Sequence, residues 1–391
     1  MSADVNVDLI ADSFNGLKQL ERTLPSSWYV EPAHHQRELR DIWYRSWLYL
    51  CRASSLPEAR AFRTFTIGDQ PLLLVRDEDG EIRAFFNTCR HRGSALCSEA
   101  EGRLPSALIT CPYHAWSYRL NGELARVPSA GREHHLDTRE VRLYSVPLRT
   151  WKGFVYVNLG DQTHGLSDNF NANLDALAHW PLGDLVVGHR MTKRIACNWK
   201  VFWENYNECL HCPGVHPALS SLVPIYQRGI MEDRDDPNWQ SHRGNLDPAH
   251  RGGLRAGAAT WSVDGRSLGH EFPQLTDEER RIGYHYMTSL PSHYLVAHVD
   301  HVRSSRLRPL GAEETELEIE WLFPADTLAD TAVDIRRAYE FSAQVMAEDG
   351  AACEAVQRGL HAAPHDRGFL MPEEYDVYRF QEWVRSALRP V

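Results

Sequence analysis

Two short motifs, Cys89-Arg-His91 and Cys111-Pro-Tyr-His114, limit what this chain can become more than any other feature of it. Each sets one thiol and one imidazole on a stretch short enough for a single tight loop, with an interval of 19 residues between His91 and Cys111. Two such loops can close on one metal centre from opposite sides, so the surrounding segment must be a small, rigid, loop-presenting scaffold. Four ligands of this kind suit either a structural Zn(II) or an iron–sulfur cluster. Zinc modules usually pair Cys with Cys and His with His, whereas here each motif mixes the two. That favours a [2Fe–2S] centre in which two thiolates hold one iron and two imidazoles the other, an arrangement that raises the reduction potential. Cys97, between the motifs, reads as a bystander thiol.

The pattern around these motifs agrees with such a scaffold. From Ala61 the chain runs in short stretches of Phe, Val, Ile and Thr, punctuated by Asp79-Gly80 and Asn121-Gly122, which predicts an antiparallel β domain reaching about Leu159. Upstream, apolar and aromatic residues at helical spacing predict a short helix between Glu38 and Leu50. A polar stretch at 160–173 suggests a boundary. The division expected is 1–45 as an N-terminal helical segment packing on the catalytic domain, 46–165 as the cluster domain and 166–391 as that catalytic domain. The last contains a helical stretch from Asn198 to His211 and strand-like runs at Tyr294–Val302, Leu307–Leu310 and Thr315–Phe323. Helices at Asp334–Leu360 and Tyr375–Leu388 follow, and Asp233–Ser267 reads as an irregular insertion. The class is α+β, and 391 residues suffice for two cores.

Composition excludes more than it assigns. A net charge of -11 argues against a general nucleic-acid binder. No window approaches the roughly 20 apolar residues of a membrane span, and the acidic N-terminus does not read as a signal peptide. A cytoplasmic protein is expected, and its eight cysteines are then expected as free thiols or metal ligands rather than disulfides.

A second constellation lies downstream. Glu208 and His211, three apart, would share a helix face, and Pro213-Gly214 would break that helix so that His216 swings to the same point. Two imidazoles and a carboxylate with open positions form the facial triad of non-haem Fe(II) oxygenases. The carboxylate is sought on the long helix, at Asp349, with Glu348 as the alternative and Asp366 or Asp376 as remoter ones.

Taken together, these motifs resemble the α subunits of Rieske non-haem iron ring-hydroxylating oxygenases, from about Leu24 to the C-terminal helix. The resemblance implies an N-terminal all-β Rieske domain and a helix-grip-like catalytic domain with an antiparallel sheet and a long helix. It implies a [2Fe–2S] cluster on Cys89, His91, Cys111 and His114, and mononuclear Fe(II) on His211, His216 and Asp349. It also implies O2 as co-substrate, NAD(P)H electrons from a separate reductase, and a homotrimer in which electrons cross between subunits. No nucleotide-binding glycine fingerprint appears in the chain itself. Glu208 takes the position of the bridging carboxylate between one subunit's iron and the next subunit's cluster, where most ring dihydroxylases have Asp. With the run ECLHCPGVH, it looks closest to the branch acting on quaternary ammonium compounds. Trp203, Tyr206, Trp261, Tyr284 and Tyr286 are the candidate aromatic faces for such a cation. The rival readings are an aromatic-ring or aromatic-acid hydroxylating oxygenase and a non-enzymatic electron carrier.

Overall fold

In the computed structural model, described for residues 14–128, 138–160, 165–166 and 174–388, the two predicted glycine turns sit where strands reverse. Gly80 and Gly122 have φ of 86° and 89°, and a Cβ at Gly122 would lie 2.6 Å from the Phe85 ring. Only glycine fits there without strain. The Gly80 turn joins two strands of a five-stranded antiparallel sheet ordered Ser145–Val146, Ile82–Phe86, Gln70–Arg76, Ala61–Ile67, Glu101–Arg103, and the Gly122 turn joins two strands of a smaller one. This three-stranded sheet (Leu108–Thr110, Ser117–Arg119, Leu124–Arg126) packs with the first around Phe62, Leu73, Val75, Phe85 and Tyr118.

The expected helix at Glu38–Leu50 is corrected. Helix Pro32–Asp41 begins at its proline and has ended before Trp43, and Leu48–Arg52 is a strand paired with Phe154–Val157. All five residues of that strand are buried, and burial on both faces erases the alternation by which a strand is recognised.

The catalytic half is built on a five-stranded antiparallel sheet ordered Val186–Ile195, Glu314–Phe323, Val302–Gly311, His293–His298, Tyr284–Ser289. The first and last strands lie outside the predicted runs. Helix Arg336–Gly359 lies against Val186–Ile195, where Lys193 donates to the Met346 carbonyl at 2.9 Å and a Cβ at Gly350 would meet Lys193 Nζ at 2.8 Å. Between sheet and helices runs Trp199–Tyr206, N-capped by the Asn198 side chain. A fully buried Lys200–Glu38 ion pair at 2.5 Å and a bond from Trp199 Nε1 to Glu38 at 2.8 Å fasten it to helix Pro32–Asp41. C-terminal helix Tyr375–Ala387 reaches it through Gln381, which donates to Glu204 at 2.9 Å. The 233–267 region is largely irregular, with short helical turns at Asp233–Asp235, Trp239–His242 and Pro248–Arg251. Among the described residues no helix is long and apolar enough to cross a membrane.

Candidate metal centres and active site

Both Cys/His motifs lie on tight loops at one end of the β domain. In the first, Cys89 N donates to the Ser94 carbonyl and Gly93 N back to Cys89, with Gly93 at φ 75°. In the second, Cys111 N donates to Trp116 and Ala115 N to Cys111. The two thiols are buried, whereas both imidazoles are exposed, their ring centroids 4.8 Å apart. Tyr118 Oη lies 3.2 Å from Cys89 Sγ. Burial pushes the Cys89 thiol up; at Cys111 burial is outweighed by the backbone N–H groups of Tyr113 and His114, which hold it below its ordinary value. Two neighbouring buried sulfurs under two solvent-facing imidazoles fit a cluster that must pass electrons through its histidine side. Cys97 stands apart, its backbone N–H bonded to Asn87 and its thiol raised to about 11 by burial.

The second constellation is assembled by a loop, not by the predicted helix. Helix Trp199–Tyr206 ends with Asn207 N on the Trp203 carbonyl, so Glu208 and His211 lie beyond it. Pro213 does not break a helix either: it occupies the first turn of a short one, Cys212–Val215, where a missing N–H costs nothing. Cys209 and Cys212 are joined as a disulfide across this loop, against the expectation of free thiols. The turn brings their Cα atoms to 4.9 Å, within disulfide reach. His216 then follows at 1% exposure.

Here His211 Nε2, His216 Nε2 and Asp349 Oδ1 converge. His216 Nε2 is 2.8 Å from Asp349 Oδ1 and 3.2 Å from His211 Nε2, and His211 Nε2 is 3.5 Å from the same oxygen. These three offer one ligand atom each, all within 4.8 Å of one another, and so could hold a metal ion. Glu348 faces the other way, onto His216 Nδ1 at 2.8 Å, while Glu208 takes His211 Nδ1 at 2.5 Å and its backbone N–H at 3.2 Å. Each of the two imidazoles thus has a carboxylate behind it, the arrangement that orients metal-binding histidines. Burial works against charge on both rings, but the carboxylates win: His211 is raised to about 9, His216 is raised, and Asp349, despite its own burial, is held at about 2 by the two histidines. Such a field favours a cation. Asp366 and Asp376 are elsewhere; the first bonds Ser26 through its carbonyl and the second pairs with Arg379 at 2.8 Å.

The model of the ring hydroxylating alpha subunit (catalytic domain) matches residues 182–389, more than half of the chain, and that of the Rieske [2Fe-2S] domain matches residues 46–150. The chain belongs to the ring-hydroxylating α subunits. It is 28% identical to the glycine betaine monooxygenase oxygenase subunit of Chromohalobacter salexigens, over 95% of this chain and 87% of that one. To the chloroplastic choline monooxygenase of Spinacia oleracea it is 28% identical (94% and 78%), and to the carnitine monooxygenase oxygenase subunit of Escherichia coli 31% identical (61% of each). The quaternary ammonium Rieske monooxygenase CntA in complex with L-carnitine shares the fold at TM-score 0.71 and 20% identity, covering 95% and 96% of the two chains. Naphthalene 1,2-dioxygenase from Rhodococcus sp. does so at 0.68 and 21%, covering 94% of each. As a ring-hydroxylating α subunit the protein is an oxidoreductase with a [2Fe–2S] cluster and a mononuclear iron, fed by a partner reductase.

Beside His211, His216 and Asp349 the oxygenase has a cavity of about 60 Å³ whose lining includes these three and Tyr206, Tyr226, Trp261, Tyr286 and Arg303. A larger cavity of about 480 Å³ shares Tyr206, Met231 and Tyr286 with it. Of the five predicted aromatics, Tyr206, Trp261 and Tyr286 line the inner cavity. Trp203 does not: it is fully buried, with its indole N–H on the Pro291 carbonyl at 2.8 Å. Tyr284 stands behind, against Trp261 and Tyr286 with centroids 5.6 Å away. Tyr226, bonded to Tyr286 through their hydroxyls at 2.8 Å, and Arg303 escaped the sequence reading. Tyr226 comes from a 3₁₀ turn, Pro224–Arg228, with no period to mark its face.

Proposed function

We propose that this oxygenase carries out O2- and NAD(P)H-dependent monooxygenation, with N-demethylation, of a small quaternary ammonium or N-methylated compound. The observation that carries the reading is the aromatic lining of the small cavity beside the triad: Tyr206, Tyr226, Trp261 and Tyr286. A quaternary ammonium has no N–H to donate, so aromatic faces are its best partners. Relatives similar over most of the chain include a glycine betaine monooxygenase oxygenase subunit and a choline monooxygenase.

In this reading Cys89, His91, Cys111 and His114 hold the cluster and His211, His216 and Asp349 hold Fe(II). The bound iron supplies O2 activation. Glu348 and Glu208 fix the two imidazoles, and Glu208 also reaches His114 of a neighbouring subunit in a homotrimer, which the exposure of the cluster histidines supports. Tyr206, Trp261 and Tyr286 take the cation, helped by Tyr226. The chain divides at about 45 and 165, and works in the cytoplasm with a separate flavin and iron–sulfur reductase. Turnover of the purified protein with such a reductase on betaine, stachydrine and carnitine should release formaldehyde. Release from none of them, with oxidation of benzoate-like acids instead, sinks the proposal.

A further inference from the structure

Arg303 is the charged lining residue of the inner cavity that the chemistry above leaves without a task. It sits on strand Val302–Gly311 at 4% exposure, and its Nε and Nη1 are buried with no hydrogen-bond partner among the described residues. Its strand neighbours differ: Arg306 pairs with Glu318 at 3.0 Å and Arg308 with Glu316 at 2.6 Å. Around Arg303 are ring faces instead, Trp261 and Tyr294, each 5.9 Å from its guanidinium carbon. Two more buried donors on the same wall lack a partner, Trp261 Nε1 and Tyr206 Oη. A buried guanidinium without an anion is costly, and these four unmet donor atoms, on a strand, a helix end and a loop, mark a place for an acceptor that the described residues do not supply.

We infer that Arg303 is the anchor for a substrate carboxylate, so that the substrate class is the zwitterion: an N-methylated ammonium at one end and a carboxylate at the other. The inference rests on the function proposed above and narrows it. A guanidinium receives a carboxylate through paired N–H bonds, and Trp261 Nε1 is on the same wall to add another. The carboxylate neutralises Arg303, leaving the ammonium to the tyrosine faces. A plain cation such as choline brings a second positive charge beside an uncompensated one and offers only a hydroxyl. Arg303 therefore acts as a specificity residue: it admits the betaines and rejects their alcohols and esters.

The test is binding to the cluster-loaded oxygenase without reductase, followed by calorimetry and by tryptophan fluorescence. Glycine betaine and stachydrine are compared with glycine betaine methyl ester and choline. The wild type should bind the acids about 100-fold more tightly than the ester, the range expected when one partner of a buried charge pair is removed. Arg303→Gln should erase that preference, weakening the acids and, with the like charge gone, tightening the ester, while the cluster's visible spectrum stays as it is. Arg303→Lys, which keeps the charge but loses the fork, should retain part of it. If Arg303→Gln fails to load its cluster, the Lys variant decides: an acid preference equal to wild type counts against the fork. Equal binding of acid and ester by the wild type overturns the inference, as does an acid preference surviving in Arg303→Gln. Formaldehyde release from choline and betaine alike removes only this carboxylate subsite, whereas release from neither removes the proposed function beneath it.

Discussion

Asp349 and Glu348 are adjacent on one helix, yet they meet opposite edges of His216, at Nε2 and Nδ1. That difference gives them separate roles. Asp349→Ala should lower the iron content by one per chain while the Rieske spectrum persists, and turnover should vanish. Glu348→Gln should keep the iron more loosely, with affinity reduced about 10- to 100-fold as for other partners of ligating histidines. Metal analysis after dialysis against a chelator separates the two; equal loss in both variants would mean that both carboxylates ligate. Glu208→Gln should retain both metal centres and lose electron transfer, read as a cluster that is reduced by the reductase but not reoxidised when substrate and O2 are added.

At the scale of elements, helix Trp199–Tyr206 is held by charges buried on both sides of it. Lys200 and Glu38 have no solvent access, and Lys200→Met would strand the Glu38 carboxylate. A loss of about 3–5 kcal/mol is expected from breaking such a pair, recovered in large part by adding Glu38→Gln; urea melts of the single and double variants check it. On the same helix burial raises the Glu204 carboxyl to about 7, against bonds from Tyr29 and Gln381 that favour its ionised form. A raised carboxyl binds its proton more tightly folded than unfolded, so its contribution is complete below about 4.5 and falls away as pH rises toward 7. Glu204→Gln should therefore stabilise the protein above pH 7, by up to about 3 kcal/mol, and flatten the decline in melting temperature between pH 5 and 8. An unchanged profile would refute this assignment. This helix stops at Tyr206, short of the sequence expectation, because Glu208 and the Cys209–Cys212 disulfide belong to a turn that helical spacing cannot distinguish from a further helical turn.

The whole molecule sets the exposed His91 and His114 of the β domain apart from the more buried group of His211, His216 and Asp349. If electrons cross between copies in a trimer, chains lacking the cluster and chains lacking the iron should complement one another. Cys89→Ser and Asp349→Ala proteins, each inactive alone, should regain turnover when coexpressed and assembled together, with light scattering reporting a trimer. A monomer in solution, or mixed assemblies that stay inactive, would contradict that arrangement.

The legible part of this protein is the part whose chemistry is local. The Cys/His pairs at 89–91 and 111–114 stand on single loops, and Gly80 and Gly122 mark turns because the backbone needs their freedom there; both are statements about a few consecutive residues. The α+β class followed from runs of strand and helix period in the same way. Asp349 is different: 133 positions separate it from His216, and only the packing of helix Arg336–Gly359 against the sheet turns Asp349, and not Glu348, toward the two imidazoles. Arg303 illustrates the limit most sharply. In the chain it is one of three arginines in Val302–Gly311; strand alternation puts it on the face opposite to Arg306 and Arg308, but only the sheet's register gives those two Glu318 and Glu316 and leaves Arg303 at the cavity without a glutamate. Sequence determined which chemical groups are present and which local loops can form, and tertiary structure decided which of them face each other, because pairing across a fold depends on contacts that no local period encodes.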